Sequence, residues 1–175
     1  LQTRLRGDVI YPSRHETFPE ALTGKTGCNP GYDPLAFAIE ECHKRGMELH
    51  AWIVTIPVGN NRQTKLLGKH SIVKKNRKIC KQHGGAWYLD PGHPETADYL
   101  SSIVKEIVSK YDVDGVHFDY IRYPENAHRF PDRETFRKYG KSKDLKQWRR
   151  DNITAIVRRL YTDIKALKPW VKVSS

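Results

Sequence analysis

The sequence of 175 residues lacks most features that mark membrane, disulfide-rich or nucleotide-binding proteins. Its apolar runs are a few residues long, whereas a helix that spans a bilayer needs about 20. Its three cysteines form neither a disulfide framework nor a zinc motif. Glycine-rich phosphate-binding motifs and the G-x-S-x-G nucleophile motif are absent. Metal motifs such as HxH and HExxH are also absent, so we predict neither a cofactor nor a metal ion.

Acidic residues are missing from one long stretch of the sequence. None occurs between Glu48 and Asp90, while eight cations do, namely Arg62, Lys65, Lys69, Lys74, Lys75, Arg77, Lys78 and Lys81. A second basic segment over 125–150 holds nine basic and four acidic residues, so the net charge of +11 belongs to two segments. Such charge attracts anionic polymers. Aromatic residues are not interleaved with these cations as a nucleic-acid stacking platform requires, so no nucleic-acid partner is predicted.

Apolar spacing predicts three helices, each followed by a strand. Asp33 and Pro34 are typical of a helix start, as a cap followed by proline at the first helical position. In chain order we predict a strand remnant over 1–4, a helix from Pro34, a strand over 48–54, a helix from Pro94, a strand over 114–119, a helix within 144–168 and a strand from Trp170. This alternation is typical of right-handed βαβ units and a parallel sheet.

The side-chain pattern of the strands favours a barrel over an open sheet. His50 and Trp52 share one strand face, and His117 and Asp119 share one face of the next strand, each opposite aliphatic residues. The aliphatic face suits a helix layer, which leaves the polar face for a barrel interior. A complete barrel needs about 250 residues. We therefore predict an α/β fold, a partial (β/α)8 TIM barrel.

Residues 1–175 are predicted to be one (β/α) barrel domain fragment with a long basic βα loop at 57–93. Loops of this length in compact domains are functional or disordered. Trp87 and Tyr88 offer flat faces on which a sugar ring can stack. The alternative is a solvated basic loop with one short helix around 71–83.

Asp119 is the candidate catalytic residue. Barrel active sites are built at the carboxyl ends of the strands, and Asp119 ends the strand over 114–119. A carboxylate there can act as a glycosidase nucleophile or stabilise positive charge on the sugar. Arg122 would favour its charged form. The alternative is a structural role for Asp119, as a loop cap or as a partner of Arg122. His117 and Asp119 also have the spacing of two metal ligands, but nothing in the sequence completes such a site.

Six separated motifs, in order, resemble the glycosyl-hydrolase-like family 10 barrels of bacteria. The resemblance rests on LQTRLRGD at 1–8, YDPL at 32–35 with HKRG at 43–46 and HAW at 50–52, YLDPGHPE at 88–95, and DVDGVHFDYIRYP at 112–124. It runs over nearly the whole chain.

The resemblance implies a barrel enzyme that acts on glycosidic bonds, in a family tied to bacterial cell-envelope glycans. It implies that the chain covers about strands 2 to 5 and that Asp119 occupies the nucleophile position of related barrels. The general acid/base is expected outside this sequence, although Asp8 and Asp90 occupy loop positions that could face the cleft. A periplasmic, cell-surface or secreted location is expected. The resemblance and the basic loop together give the expected substrate-binding residues, which are Arg4, His50, Trp52, Trp87, His117 and Arg122.

The leading hypothesis is a glycoside hydrolase acting on a polysaccharide or oligosaccharide. The alternative is a non-catalytic glycan-binding protein or an inactive fragment. In either case, the exposed edges of a partial barrel sheet are expected to promote self-association.

Overall fold

The computed structural model describes residues 1–141 and 144–175. Its strands are β1 (Gln2–Arg4), β2 (His50–Val54), β3 (Pro57–Asn60), β4 (Cys80–His83), β5 (Ala86–Leu89), β6 (Gly115–Asp119) and β7 (Lys172–Ser174). Its α-helices are α1 (Glu20–Thr23), α2 (Pro34–His43), α3 (Asn61–Leu67), α4 (Ile72–Lys75), α5 (Pro94–Lys110), α6 (Arg133–Tyr139) and α7 (Leu145–Leu167).

Four strands form a parallel sheet in the order β1-β2-β6-β7, which is their order along the chain. Helices α2, α5 and α7 connect these strands in turn. The predicted α/β class, its parallel sheet and the helices starting at Pro34 and Pro94 are confirmed.

Local side-chain contacts explain where the long helices begin. Asp33 accepts hydrogen bonds from the backbone N–H groups of Leu35 and Ala36, both at 3.1 Å. Asp144 accepts one from the N–H of Gln147 at 2.9 Å. Each cap satisfies donors that the first turn of a helix leaves unpaired.

The two faces of the parallel sheet differ in character. Ala51, Ile53, Val116 and Phe118 are at most 2% exposed and face the helices. Burial of the Ile53, Val116 and Phe118 side chains contributes about 1.5–3 kcal/mol each. The opposite face carries the partly exposed polar and aromatic residues Trp52, His117 and Asp119. The predicted division into an aliphatic and a polar face is therefore present.

The basic segment 57–93, hereafter the inserted unit, contains a sheet where the sequence predicts a long loop. Strands β3, β5 and β4 form an antiparallel sheet in that order. Gly84 and Gly85, with φ of +54° and +77°, connect β4 to β5 in the two-residue manner that favours glycine. The expected short helix around 71–83 is one turn, α4, and its remainder contains β4.

A buried ion pair ties the parallel sheet to its surroundings. The Arg4 side chain is fully buried, and its Nε and Nη2 donate to the Glu16 carboxylate at 2.8–3.0 Å. Its Nη1 donates to the carbonyl oxygens of Val54 and Thr55. The Tyr99 hydroxyl of α5 donates to Glu16 Oε1 at 2.6 Å. One guanidinium therefore connects β1, the end of β2, the following loop and, through Glu16, α5.

We expect Glu16→Gln to lower the free energy of unfolding by about 3 kcal/mol or more, because it leaves the buried Arg4 charge without its counterion. Urea denaturation measures the change. Glu40→Gln is the matched control, since Glu40 pairs with Lys44 on the exposed surface and its removal should leave the denaturation midpoint nearly unchanged. Equal shifts in the two variants would contradict a central role for the Arg4–Glu16 pair.

Candidate functional site

A cleft of about 620 Å³ lies between the carboxyl edge of the parallel sheet and the inserted antiparallel sheet. Trp52 and Asp119 line it from the parallel sheet, and Trp87 and Tyr88 line it from the inserted unit. The loop after β6 contributes further residues, including Tyr120, Arg122, Tyr123 and Glu125. The cleft thus combines aromatic rings, cations and carboxylates, as carbohydrate sites do.

Asp119 is held by two hydrogen bonds at the end of β6. Its Oδ2 accepts from the indole Nε1 of Trp52 at 3.0 Å, and its Oδ1 accepts from the backbone N–H of Tyr120 at 2.7 Å. The backbone of Tyr120 has φ of +49°, an uncommon value for a residue other than glycine. Each carboxylate oxygen keeps a lone pair for a ligand. The carboxylate is therefore oriented and still accessible.

Arg122 lines the cleft but does not pair with Asp119. Its Nη1 donates to Glu125 Oε1 at 2.8 Å, and its guanidinium carbon lies 5.6 Å from the centre of the Tyr120 ring. The expected Arg122–Asp119 pair is therefore wrong. Glu125 was missed in the sequence because nothing in its spacing distinguishes it from an ordinary surface glutamate.

Three predicted substrate-binding residues do not line the cleft. Arg4 is fully buried and bound to Glu16, so it cannot contact a ligand. His50 begins β2, about 13 Å along the strand from the end where Asp119 lies, and its Nε2 is 3.0 Å from a Glu48 oxygen. His117 is on the open face but contacts Ser174, with 2.9 Å between Nδ1 and Oγ. The assignment of Arg4 to ligand binding is therefore wrong, and His50 and His117 lie outside the residues that line the cleft.

Trp87 is less available for stacking than its sequence context suggests. It is 8% exposed, its Nε1 donates to Asn61 Oδ1 at 2.9 Å, and the Arg77 guanidinium lies 3.8 Å from its ring centre. Trp52 and Tyr120, 38% and 48% exposed, present more open rings. The aromatic surface of the cleft therefore centres on the residues next to Asp119.

Two further carboxylates that could have faced the cleft do not line it. Asp90 is fully buried and accepts hydrogen bonds from Thr135 Oγ1 at 2.6 Å and from the N–H of Gly92 at 3.0 Å. Burial raises its pKa, and the Thr135 hydrogen bond opposes that rise. Burial likewise raises the pKa of Asp8. Among the described residues, the cleft carboxylates are thus Asp119 and Glu125.

In residues 1–141 and 144–175, no group of three or more His, Cys, Asp or Glu side chains is arranged to hold a metal ion. No helix in them is long and apolar enough to cross a membrane.

The parallel sheet, its polar face and the carboxylate cleft at its edge define a protein related to glycoside hydrolases. The chain belongs to the glycosyl hydrolase-like 10 family, whose model matches residues 1–175. The predicted family is therefore confirmed.

Three known proteins illustrate this relationship. The chain is 39% identical over 178 residues to glycosyl hydrolase YngK of Bacillus subtilis, covering 98% of this chain and 35% of that protein. It is 38% identical over 183 residues to glycosyl hydrolase DigH of Escherichia coli K12, covering 98% and 42%. The chain thus spans less than half the length of either relative. The structure of alpha-L-fucosidase isoenzyme 2 from Paenibacillus thiaminolyticus is similar in fold, with a TM-score of 0.62, 16% identity, and coverage of 96% of this chain and 25% of that one.

We expect Trp52→Phe to lower the free energy of unfolding by about 1 kcal/mol, because it keeps an aromatic ring and removes the hydrogen bond to the Asp119 carboxylate. Urea denaturation measures this difference. Trp170→Phe is the control, since Trp170 is 68% exposed and makes no hydrogen bond within the described part of the chain. If both variants unfold at the same urea concentration, the Trp52–Asp119 hydrogen bond contributes nothing measurable.

Proposed function

We propose that the chain carries the substrate cleft of a glycoside hydrolase that acts on a polysaccharide. Asp119 serves as its nucleophile or as the carboxylate that stabilises positive charge on the sugar. The observation that carries the proposal is the Asp119 carboxylate, held by Trp52 and by the Tyr120 backbone at the edge of an aromatic cleft. Glycosidases use a carboxylate at this step because their transition states resemble oxocarbenium ions.

The two hydrogen bonds fit the proposed role of Asp119. Donors to both oxygens fix the carboxylate orientation, so less reorganisation is needed when charge develops on the sugar. The exposed rings of Trp52 and Tyr120 lie beside it and offer apolar faces to a pyranose ring.

The general acid/base is proposed to come from outside these 175 residues. Glycoside hydrolysis ordinarily needs a second carboxyl group. Glu125 lines the cleft, but its side chain is 82% exposed and pairs with Arg122. It therefore lacks the apolar surroundings typical of a general acid.

We further propose that the parallel sheet is a segment of a (β/α)8 barrel, covering about strands 2 to 5. Its strand order follows the chain, as in a barrel, whereas doubly wound sheets reverse direction at a switch point. Its polar face is free of helices, and a barrel would enclose that face. The similarity in fold to the fucosidase supports the same arrangement.

The proposed substrate is a bacterial cell-envelope glycan, and the proposed location is periplasmic, cell-surface or secreted. Both rest on what the resemblance of the sequence to this family implies. The basic surface supports this class, because it would attract a glycan that bears anionic groups.

We expect Asp119→Asn, in the native protein that contains these residues, to reduce glycan hydrolysis by at least about 10³-fold, since the amide is a poor nucleophile and carries no charge. Glycan binding should change by no more than a few-fold. Asp112→Asn is the matched control, because Asp112 is exposed and does not line the cleft. Hydrolysis retained by Asp119→Asn, or lost equally in both variants, would remove Asp119 from the mechanism.

A non-catalytic glycan-binding role is the second candidate. It is favoured by the absence of a well-placed second carboxylate among the cleft residues that the structure describes. The 175-residue chain would then bind oligosaccharides without releasing reducing ends. Turnover by this chain alone would exclude the non-catalytic role and would mean that the general acid/base lies within these 175 residues.

We also propose that the chain self-associates through β7. The outer edge of β1 is covered, because the N–H of Ile10 donates to the carbonyl of Thr3 at 3.1 Å. In the described residues β7 pairs with β6 on one side. The Lys172 N–H points toward β6, because it donates to the carbonyl of Asp114 at 2.9 Å. The neighbouring N–H of Val173 therefore faces the open edge, where an unpaired strand invites pairing.

Sedimentation equilibrium of the 175-residue chain should show concentration-dependent dimers or larger species. Val173→Pro removes the outward N–H and is expected to shift the chain toward monomer. Circular dichroism checks that this variant stays folded. A wild-type chain that is monomeric throughout the micromolar range would refute the proposal.

A further inference from the structure

A second concave surface lies on the inserted unit and shares Trp87 with the cleft. It has a volume of about 530 Å³, and its lining includes Asn61, Lys65, Lys74 and Arg77. Three of its lining residues are cations and none is a carboxylate. This concavity, hereafter the Arg77 site, plays no part in the proposed hydrolysis at Asp119.

The guanidinium of Arg77 is oriented by stacking and not by a counterion. Its carbon lies 3.8 Å from the centre of the Trp87 ring. The ring is held in turn, because Trp87 Nε1 donates to Asn61 Oδ1, which also accepts from Gln82 Nε2 at 3.2 Å. Within 1–141 and 144–175 the Arg77 side chain makes no hydrogen bond or ion pair, so its guanidinium N–H donors remain available for a ligand. Stacked arginines present those donors as a planar fork.

The lysines of the Arg77 site are uncompensated, unlike most of the other cations in this segment. The side chains of Lys65 and Lys74 have no ion-pair or hydrogen-bond partner in the part of the chain that the structure describes. Of the five other cations in the segment, four are engaged, in the contacts Arg62–Glu20, Lys75–His15, Lys78–Glu95 and Lys81–Asp90, and Lys69 lies outside the site. Free positive charge is therefore concentrated around one concavity.

We propose that the Arg77 site binds a phosphoryl group. Arg77 contacts two phosphate oxygens through its fork, while Lys65 and Lys74 neutralise the remaining charge. Three cations match a phosphate, which carries close to two negative charges at neutral pH, better than a singly charged carboxylate. Free phosphate and a sugar phosphomonoester share this chemistry.

Isothermal titration calorimetry tests the proposal with inorganic phosphate, glucose 6-phosphate and neutral glucose. Salt of about 0.15 M screens diffuse attraction beyond about 8 Å. We expect dissociation constants of about 1 mM or tighter for the two phosphate compounds and no binding of glucose. Tighter binding of glucose 6-phosphate identifies a sugar phosphate as the ligand, and equal binding identifies the phosphoryl group alone. Both outcomes support the site.

Variants that each remove one positive charge distinguish binding at the Arg77 site from nonspecific attraction by the basic surface. Arg77→Gln and Lys74→Gln should each weaken phosphate binding by about 10-fold, and Arg77→Lys should also weaken it because it keeps the charge and loses the fork. Lys69→Gln removes one equally exposed charge outside the site and should change affinity less than about twofold. Asp119→Asn should leave phosphate binding unchanged, so failure of the proposed hydrolysis would not affect this result.

The proposal is overturned if Lys69→Gln weakens binding as much as Arg77→Gln. It is also overturned if acetate binds as tightly as phosphate, or if phosphate binds only above about 10 mM, which would indicate an adventitious ion only. Lys74→Gln keeps the test decisive if Arg77→Gln loosens the inserted unit. The Lys74 side chain makes no hydrogen bond or ion pair in the described residues, so its replacement should not affect folding.

Discussion

The buried Arg4–Glu16 pair is the contact on which the arrangement of the cleft depends. The carbonyl oxygens of Val54 and Thr55 lie at and just beyond the end of β2, and Arg4 donates to both of them. The Thr55 N–H donates to the carbonyl of Asp119 at 2.8 Å. The guanidinium therefore stabilises the backbone turn that sits against Asp119. A buried pair of this kind is costly to break, because either charge left alone is poorly solvated.

One face of the parallel sheet contributes to stability, and the other carries residues of the candidate site. Aliphatic residues on one face pack against α5 and α7 and supply the hydrophobic core. The opposite face carries Trp52, His117 and Asp119, which are partly exposed. The inserted unit then supplies the second wall of the cleft, so the binding surface needs elements more than 30 residues apart along the chain.

Prediction from the sequence succeeded where periodicity is long and failed where contacts are distant. Apolar spacing predicted four elements that the structure contains, namely α5, α7, β2 and β6. Strands β4 and β5 are four residues each, too short for a clear alternation. Trp87 lines the cleft, but nothing in its sequence neighbourhood showed that Arg77 covers its ring. Arg4 resembled a ligand-binding residue because its partner, Glu16, lies in a different segment.

Sequence patterns were enough to indicate the family, the α/β class, the Asp33 cap and which face of each strand is polar. These properties depend on residues within a few positions of one another. The tertiary structure decided which polar residues meet. It paired Asp119 with Trp52, Arg122 with Glu125 and Arg4 with Glu16, and it excluded His50 from the cleft. Such pairings depend on strand register and on loop paths, which local sequence patterns do not encode.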